Sequence, residues 1–290
     1  MKNYNICDKA FEIASFAVKS MLYEVTAFPK PGLVTPVSCG AHKDMNYYTF
    51  LDSSCSLMKY MTLFVQHGFS NESERIIFQK ARKLGMEAEK YMFDNTHKIN
   101  THKGMIFLMG ISCVAVGKVI HEGKSFKDIK NVIQNMAKGV VKNELESIKN
   151  TNNENKTLTY GEKLYKKYGI AGIRGEVEKG IPIVFEYSLQ CYEKNSDLSN
   201  NDRLVHTLIQ IMQYCEDTNV LHRHSIEVLN EIQSKAKYII SLGGMRSEKG
   251  RQAVENLAKE FVERGISPGG VADILAVTVF FYLVKKHLNI

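Results

Sequence analysis

Apolar residues recur at a period close to 3.6 along almost the whole chain, and this period constrains the fold more than any other feature. Phe11, Ala14, Val18, Met21 and Val25 mark one such face, and Leu204, Leu208, Ile211 and Met212 another. Spacing of this kind puts side chains on one stripe of an α-helix. Similar patterns run through Tyr48–Val65, Glu72–Phe93, Gly104–Ile120, Phe126–Leu145, Ile183–Tyr192, Ile226–Leu242, Arg251–Arg264 and Val271–His287. The alternation expected of strands is nearly absent. A striped helix must bury its stripe against another element, so the predicted fold is all-α, a multi-helix bundle or array. With 290 residues, 44% hydrophobic and 24% charged, the chain can fill a sizeable core. No Pro/Ser/Gly-rich linker divides it, so a single domain over residues 1–290 is expected. The least apolar stretch, Lys149–Thr157, reads as a surface loop.

Several classes of protein fit poorly. The first nine residues lack a basic segment followed by an apolar run, which argues against a signal peptide. The longest apolar run, Val271–Val284, is too short for a bilayer and contains Asp273. We therefore expect a cytoplasmic protein with no membrane partner. Its six cysteines include no C-x-x-C pair, which points to reduced thiols packed as small apolar groups. The net charge of +7 fits nucleic acid, an anionic membrane or small polyanions. The lysines at helical spacing, Lys80, Lys83 and Lys90 or Lys163, Lys166 and Lys167, read as solvated faces. Neither a helix-turn-helix nor an aromatic stacking motif supports nucleic acid.

Five polar segments interrupt the helical pattern. In Pro29-Lys30-Pro31-Gly32-Leu33-Val34, two prolines stiffen the backbone around Lys30, which suits phosphate binding as well as a plain helix stop. Gly40-Ala41-His42-Lys43-Asp44-Met45 follows, offering the imidazole of His42 and the carboxylate of Asp44. Asn100-Thr101-His102-Lys103-Gly104 directly precedes an apolar helix, whose N-terminal N–H groups with His102 and Lys103 would attract an anion. Asn100 or Thr101 acting only as a cap would leave the His-Lys pair unexplained. The segment Gly169–Gly180 has four glycines, with Arg174 able to grip phosphate and Glu176 able to act as a base, although a flexible surface loop would look the same.

The fourth, Cys215–His224, carries Asp217 and Asn219, hard oxygen donors suited to magnesium. His222 and His224 open a softer-metal alternative. In the last, Ser267-Pro268-Gly269-Gly270-Val271-Ala272-Asp273, Ser267 can cap the following helix and Pro268 suits its first turn. Asp273, set among apolar residues, would need a partner to be buried. Gly117–Ser125 ends in Gly-Lys-Ser but has five residues between its glycines and follows a helix, so it is no phosphate loop.

Taken in order, these segments resemble the triphosphoribosyl-dephospho-CoA synthase family. The likeness rests on Glu24-Val25 with the Pro29–Val34 segment, Gly40-Ala41-His42-x-Asp44-Met45, Asn100–Gly104, Gly172-x-Arg174-Gly175-Glu176, Asp217-Thr218-Asn219 and Ser267-Pro268-Gly269-Gly270-x-Ala272-Asp273. The chain departs from the family pattern at Thr35, where Asp is usual, and at His224, where Gly is usual. The resemblance implies an all-α fold and an enzyme that joins the triphosphoribosyl part of ATP to the 2'-hydroxyl of 3'-dephospho-CoA, releasing adenine. The product is the prosthetic-group precursor for the acyl carrier protein of citrate lyase or malonate decarboxylase.

The family product is α-linked, which implies inversion and a base without a covalent intermediate. Glu176 or Asp44 would be that base, with His102 beside them. Lys30, His102, Lys103, Arg174 and Arg223 would hold phosphates, His42, Asn100 and Thr101 would contact substrate, and Asp217, Asn219 and Asp273 would bind Mg2+. A separate transferase would load the carrier, and the oligomeric state stays open, a homodimer included. A nucleotide N-glycosidase without transfer and a basic helical nucleic-acid binder are the alternative functions.

Overall fold

The computed structural model describes residues 6–146, 158–288 and 290. The expected loop at Lys149–Thr157 lies outside the described residues. Among those described are 14 α-helices and no strand. In chain order they are α1 (Asp8–Thr26), α2 (Tyr47–Ser56), α3 (Met58–Gly68), α4 (Glu74–Asn95), α5 (Lys103–His121), α6 (Ile129–Ala137) and α7 (Tyr160–Tyr168). Then follow α8 (Gly172–Glu178), α9 (Leu189–Lys194), α10 (Asn200–Met212), α11 (Thr218–Arg223), α12 (Ile226–Ser241), α13 (Glu248–Arg264) and α14 (Gly269–His287). The all-α class read from the apolar period is the class observed.

Two helices that are apolar on every side organise the rest, because such a helix must be surrounded by others. Helix α5 is one, covered by α1, α3, α4, α6 and α14; α14 is the other, covered by α1, α9 and α10 as well. By length and composition α5 could cross a membrane, yet 78% of its apolar window is buried inside the protein, as in the core helix of a globular domain. One large apolar cluster runs through the molecule, and a small second one, Val25, Val34 and Met45, seats the loop that leads into α2.

The breaks have local causes. The predicted Tyr48–Val65 helix divides at Leu57, where Ser54 and Ser56 donate their hydroxyls to Phe50 and Ser53 carbonyls and compete with the backbone ladder. The predicted Phe126–Leu145 helix stops after Ala137, near Gly139 at φ +82°, and resumes as a π-turn at Lys142–Glu146. The glycine-rich segment Gly169–Gly180 is no loop but holds α8. Cys7, Cys39 and Cys55 are exposed, so only some of the thiols pack as apolar groups.

Helices α3 and α5 approach through glycines. A Cβ on Gly117 would lie 2.3 Å from the Val65 carbonyl oxygen, and one on Gly68 would lie 2.3 Å from that of Val114. No side chain fits, so the two backbones pack directly. Gly117→Val should lower the unfolding free energy by about 1–3 kcal/mol, measured by chemical denaturation; an unchanged midpoint would show that the helices do not touch there.

Candidate active site

Distant parts of the chain meet in one cleft of about 280 Å3, because four helices begin on its wall. Lys103 and Gly104 open α5, Gly172 and Ile173 open α8, Thr218 and Asn219 open α11, and Gly269 and Gly270 open α14. His42, Asp44 and Met45 complete it from the loop before α2. Free N–H groups and partial positive charge therefore gather at the cleft, with the two long helices α5 and α14 contributing most.

Asp217 holds two of these starts together. Its Oδ1 accepts from Asn219 N (2.8 Å) and Val220 N (3.2 Å), capping α11, while Oδ2 accepts from Val271 N (3.0 Å) in the first turn of α14. The sequence suggested Ser267 as the cap of α14. Pro268 occupies the cap position instead and offers no side-chain bond, so the orphan donors turn to Asp217. Ser267 is thereby free to meet His42, Oγ to Nε2 at 2.8 Å.

The lining is acidic. Asp44, Glu176, Glu216, Asp217 and Asp273 face the cleft, against the cations Lys103 and Arg223. Asp273 stands one turn into α14 beside the start of α5; a Cβ on Gly104 would sit 2.5 Å from its Oδ2. Burial first, then the charges of Glu24 and Asp217, push its pKa well above the usual carboxylate range. Burial also raises Asp217, partly opposed by the N–H groups it accepts. Glu176 is raised by burial, with its weak 3.4 Å bond from Ile183 N pulling the other way. The Asp44 side chain is 64% exposed, its Oδ1 3.9 Å from His42 Nδ1. His42 itself is lowered by burial and by Arg223.

Ten of the thirteen residues proposed from sequence line this cleft: His42, Asp44, Asn100, Thr101, Lys103, Glu176, Asp217, Asn219, Arg223 and Asp273. Asn100 Oδ1 accepts from Lys103 N at 3.3 Å, and Lys103 Nζ pairs with Glu89 at 2.6 Å on the rim. The other three lie elsewhere. Lys30, expected at a phosphate, is buried, its Nζ 2.5 Å from Glu24 Oε1 and 2.7 Å from the Glu24 carbonyl oxygen, because an ammonium in the core requires a carboxylate.

His102, expected among the catalytic groups, is also buried. Desolvation and then the charge of Lys30 push it down to about 3, so it is neutral at ordinary pH. Its Nδ1 meets Ser53 Oγ at 2.6 Å, and Ser53 Oγ meets Thr101 Oγ1 at 2.7 Å, so a hydroxyl chain joins it to the cleft. Arg174 Nε pairs with Glu144 Oε2 at 2.9 Å, outside the lining.

Sequence reasoning gave no place in the site to Glu24, Ser53, Glu216 or Ser267, although Glu24 and Ser267 stand in the motifs that carry the family likeness. Glu24 could have been found, since it stands within the apolar face of α1 beside Met21 and Val25, where a charge needs a partner. Ser53 gave no signal. Among the described residues no three His, Cys, Asp or Glu side chains are placed to hold a metal by themselves.

Two substitutions separate cap from charge. Asp217→Ala, which strips acceptors from two helix starts, should lower stability by about 2 kcal/mol. Asp273→Asn should raise it, because an ionised Asp273 is unfavourable in the fold. A raised carboxylate stabilises the fold fully only below its unfolded pKa of 3.8 and loses that contribution as pH rises through the folded value. The gain from Asn should therefore be nil in acid and grow toward neutrality, as read from denaturation at several pH values.

The model of the ATP:dephospho-CoA triphosphoribosyl transferase family matches residues 10–290. A probable 2-(5''-triphosphoribosyl)-3'-dephosphocoenzyme-A synthase of Lactiplantibacillus plantarum is 37% identical over 274 residues, 93% of this chain and 96% of that one. Its counterpart in Malonomonas rubra is 32% identical over 290 residues, 98% of this chain and 91% of that one. The protein CitXG of Leuconostoc mesenteroides subsp. cremoris is 37% identical over 274 residues, 93% of this chain but 58% of its own length. No solved structure matches the chain. Five of the six segments that carry the family likeness meet in the cleft, and the chain belongs to the ATP:dephospho-CoA triphosphoribosyl transferase family.

Proposed function

We propose that this chain transfers the 5-triphosphoribosyl group of ATP to the 2'-hydroxyl of 3'-dephospho-CoA, with adenine leaving. The observation that carries this reading is the convergence of five polar segments on one cleft at the starts of α5 and α14. In the reaction the bond from ribose C1' to adenine N9 breaks and a bond from C1' to the acceptor O2' forms. The acceptor's hydroxyl proton goes to a protein base, and adenine departs with its bonding pair and is protonated.

Glu176 suits the base. It lines the cleft, and burial raises its proton affinity toward the neutral range, where a general base works best. Asp44, more exposed, is the alternative. Arg223, Lys103 and the N-termini of α5 and α14 are the donors for the triphosphate, and Asn100, Thr101 and His42 are placed to meet sugar hydroxyls or the base.

Five carboxylates around a polyanionic substrate would repel it unless a cation intervened. Their hard oxygens fit Mg2+, which commonly takes one or two carboxylates and completes its shell with phosphate and water. Asp273 and Asp217, with Asn219, would hold the ion, and its charge would neutralise triphosphate oxygens against these carboxylates. The product is the prosthetic-group precursor of a citrate lyase or malonate decarboxylase carrier protein. A separate transferase would load it, in the cytoplasm.

The test is chromatographic. Incubated with ATP and magnesium, the protein should release adenine and form the coupled product with dephospho-CoA, and do neither with CoA or without acceptor. EDTA should stop turnover and magnesium restore it. Adenine in equal amounts without acceptor would identify a hydrolase, and release of ADP or pyrophosphate instead would reject glycosyl transfer.

Glu176→Gln should keep ATP binding and lower turnover by about 10²- to 10⁴-fold. In the unaltered protein the acid limb of kcat/KM should fall above the usual carboxylate range, because protonated Glu176 cannot accept the hydroxyl proton. A loss under about tenfold would move the role to Asp44.

A further inference from the structure

Lys103 borders a second hollow as well as the cleft, so the two adjoin at this one shared lining residue. The second lies between α4 and α5 and measures about 150 Å3. Its α4 wall consists of Phe78, Ala81, Arg82, Gly85, Met86 and Glu89, a spacing that puts all six on one stripe. At about 1.5 Å per residue that stripe is roughly 16 Å long, so the hollow is a groove rather than a round pocket. Glu89, bonded to Lys103, marks the end at the cleft, and Phe78, edge-on to Phe107 at 6.5 Å, marks the far end.

Gly85 widens the groove at its middle. A Cβ built there would meet only Phe64 Cζ, at 4.0 Å. Glycine inside a long helix is unfavourable for the helix, so this gap is held open against local propensity. The charged groups on the wall already have partners: Arg82 bonds Glu144 and Lys103 bonds Glu89. The lining has no hydroxyl or amide side chain.

We infer that this groove holds the pantetheine arm of the acceptor, on the reading given under Proposed function that the acceptor is 3'-dephospho-CoA. The arm is a long, narrow, uncharged chain, and its shape and polarity match a groove of this length and lining. A purine would need donors and acceptors along its edge, and the polar side chains of the wall, Arg82, Glu89 and Lys103, are already bonded. With the acceptor ribose in the cleft, its 5'-diphosphate crosses beside Lys103 and the arm runs along α4, its amides facing the open side and water. The groove thus reads the part of the acceptor that ATP lacks, and so sorts the two nucleotide substrates.

Two variants test this, neither at a residue of the catalytic set. Gly85→Leu fills the groove, and Gly85→Ala, whose Cβ makes only an ordinary contact, is its control. With both shown folded by thermal melting, Gly85→Leu should raise the KM for dephospho-CoA by about tenfold or more, with the KM for ATP within about twofold and Gly85→Ala unchanged. ADP, which has the same ribose and diphosphate but no arm, should serve as a poor acceptor equally well in both variants.

The second variant needs no turnover. The chain has no tryptophan, and Met86 is 67% exposed on the groove rim, so Met86→Trp supplies a single reporter at an undemanding position. Its emission should shift on titration with dephospho-CoA and stay constant with ADP or ATP. A shift with ATP would make the groove a base pocket, and no shift with dephospho-CoA, or an unchanged acceptor KM in Gly85→Leu, would overturn the inference. If the unaltered protein fails to couple ATP to dephospho-CoA at all, the proposed function falls instead, which is a separate outcome.

Discussion

One carboxylate, that of Asp217, is the constraint on which the site depends. It accepts N–H bonds from the starts of α11 and α14 at once, so two helices remote in sequence are fixed end to end against the same group. Three of the polar cleft residues are counted from those starts. Asn219 and Arg223 follow on α11, and Asp273 follows on α14. A side chain that caps one helix from within adjusts that helix alone; a cap shared across two sets their relative position, which a reacting pair of substrates requires.

The electrostatics follow from the same arrangement. Helix N-termini bring diffuse positive charge that no side chain has to carry, and carboxylates can then be placed among them without an equal number of lysines. Asp217 and Glu176 are nevertheless left with raised proton affinity, because burial outweighs the donors near them, and burial with the charges of Glu24 and Asp217 raises Asp273. Lys30 and Glu24 form a buried ion pair outside the cleft lining.

The fold class could be read from the sequence because burial of one stripe per helix leaves a period that no tertiary contact hides. The boundaries could not: Ser54 and Ser56 break α2 from α3 through bonds to their own carbonyls, and Gly139 ends what looked like a longer helix. Most of the site was legible too, since Asp217, Asp273 and Asn100–Gly104 sit where polar residues interrupt apolar runs. What stayed hidden was direction. Lys30 and His102 share the motifs of the cleft yet turn into the core, and a one-dimensional pattern shows neither Glu24 under Lys30 nor Ser53 beside His102. The groove at Gly85 was hidden for the opposite reason, since a missing side chain leaves no pattern.

The row of groups from Thr101 through Ser53 to His102 has a sense as well as a position. A neutral imidazole carries one ring hydrogen. With that hydrogen on Nδ1, each hydroxyl passes its own hydrogen toward the solvent side, and Thr101 meets whatever occupies the cleft as a donor. With it on Nε2, the row reverses and Thr101 offers only lone pairs. Because His102 does not take up a second proton in the ordinary pH range, the polarity of Thr101 is decided at a buried ring outside the cleft lining. The cleft can thus change from recognising an oxyanion to recognising a hydroxyl with no heavy atom displaced.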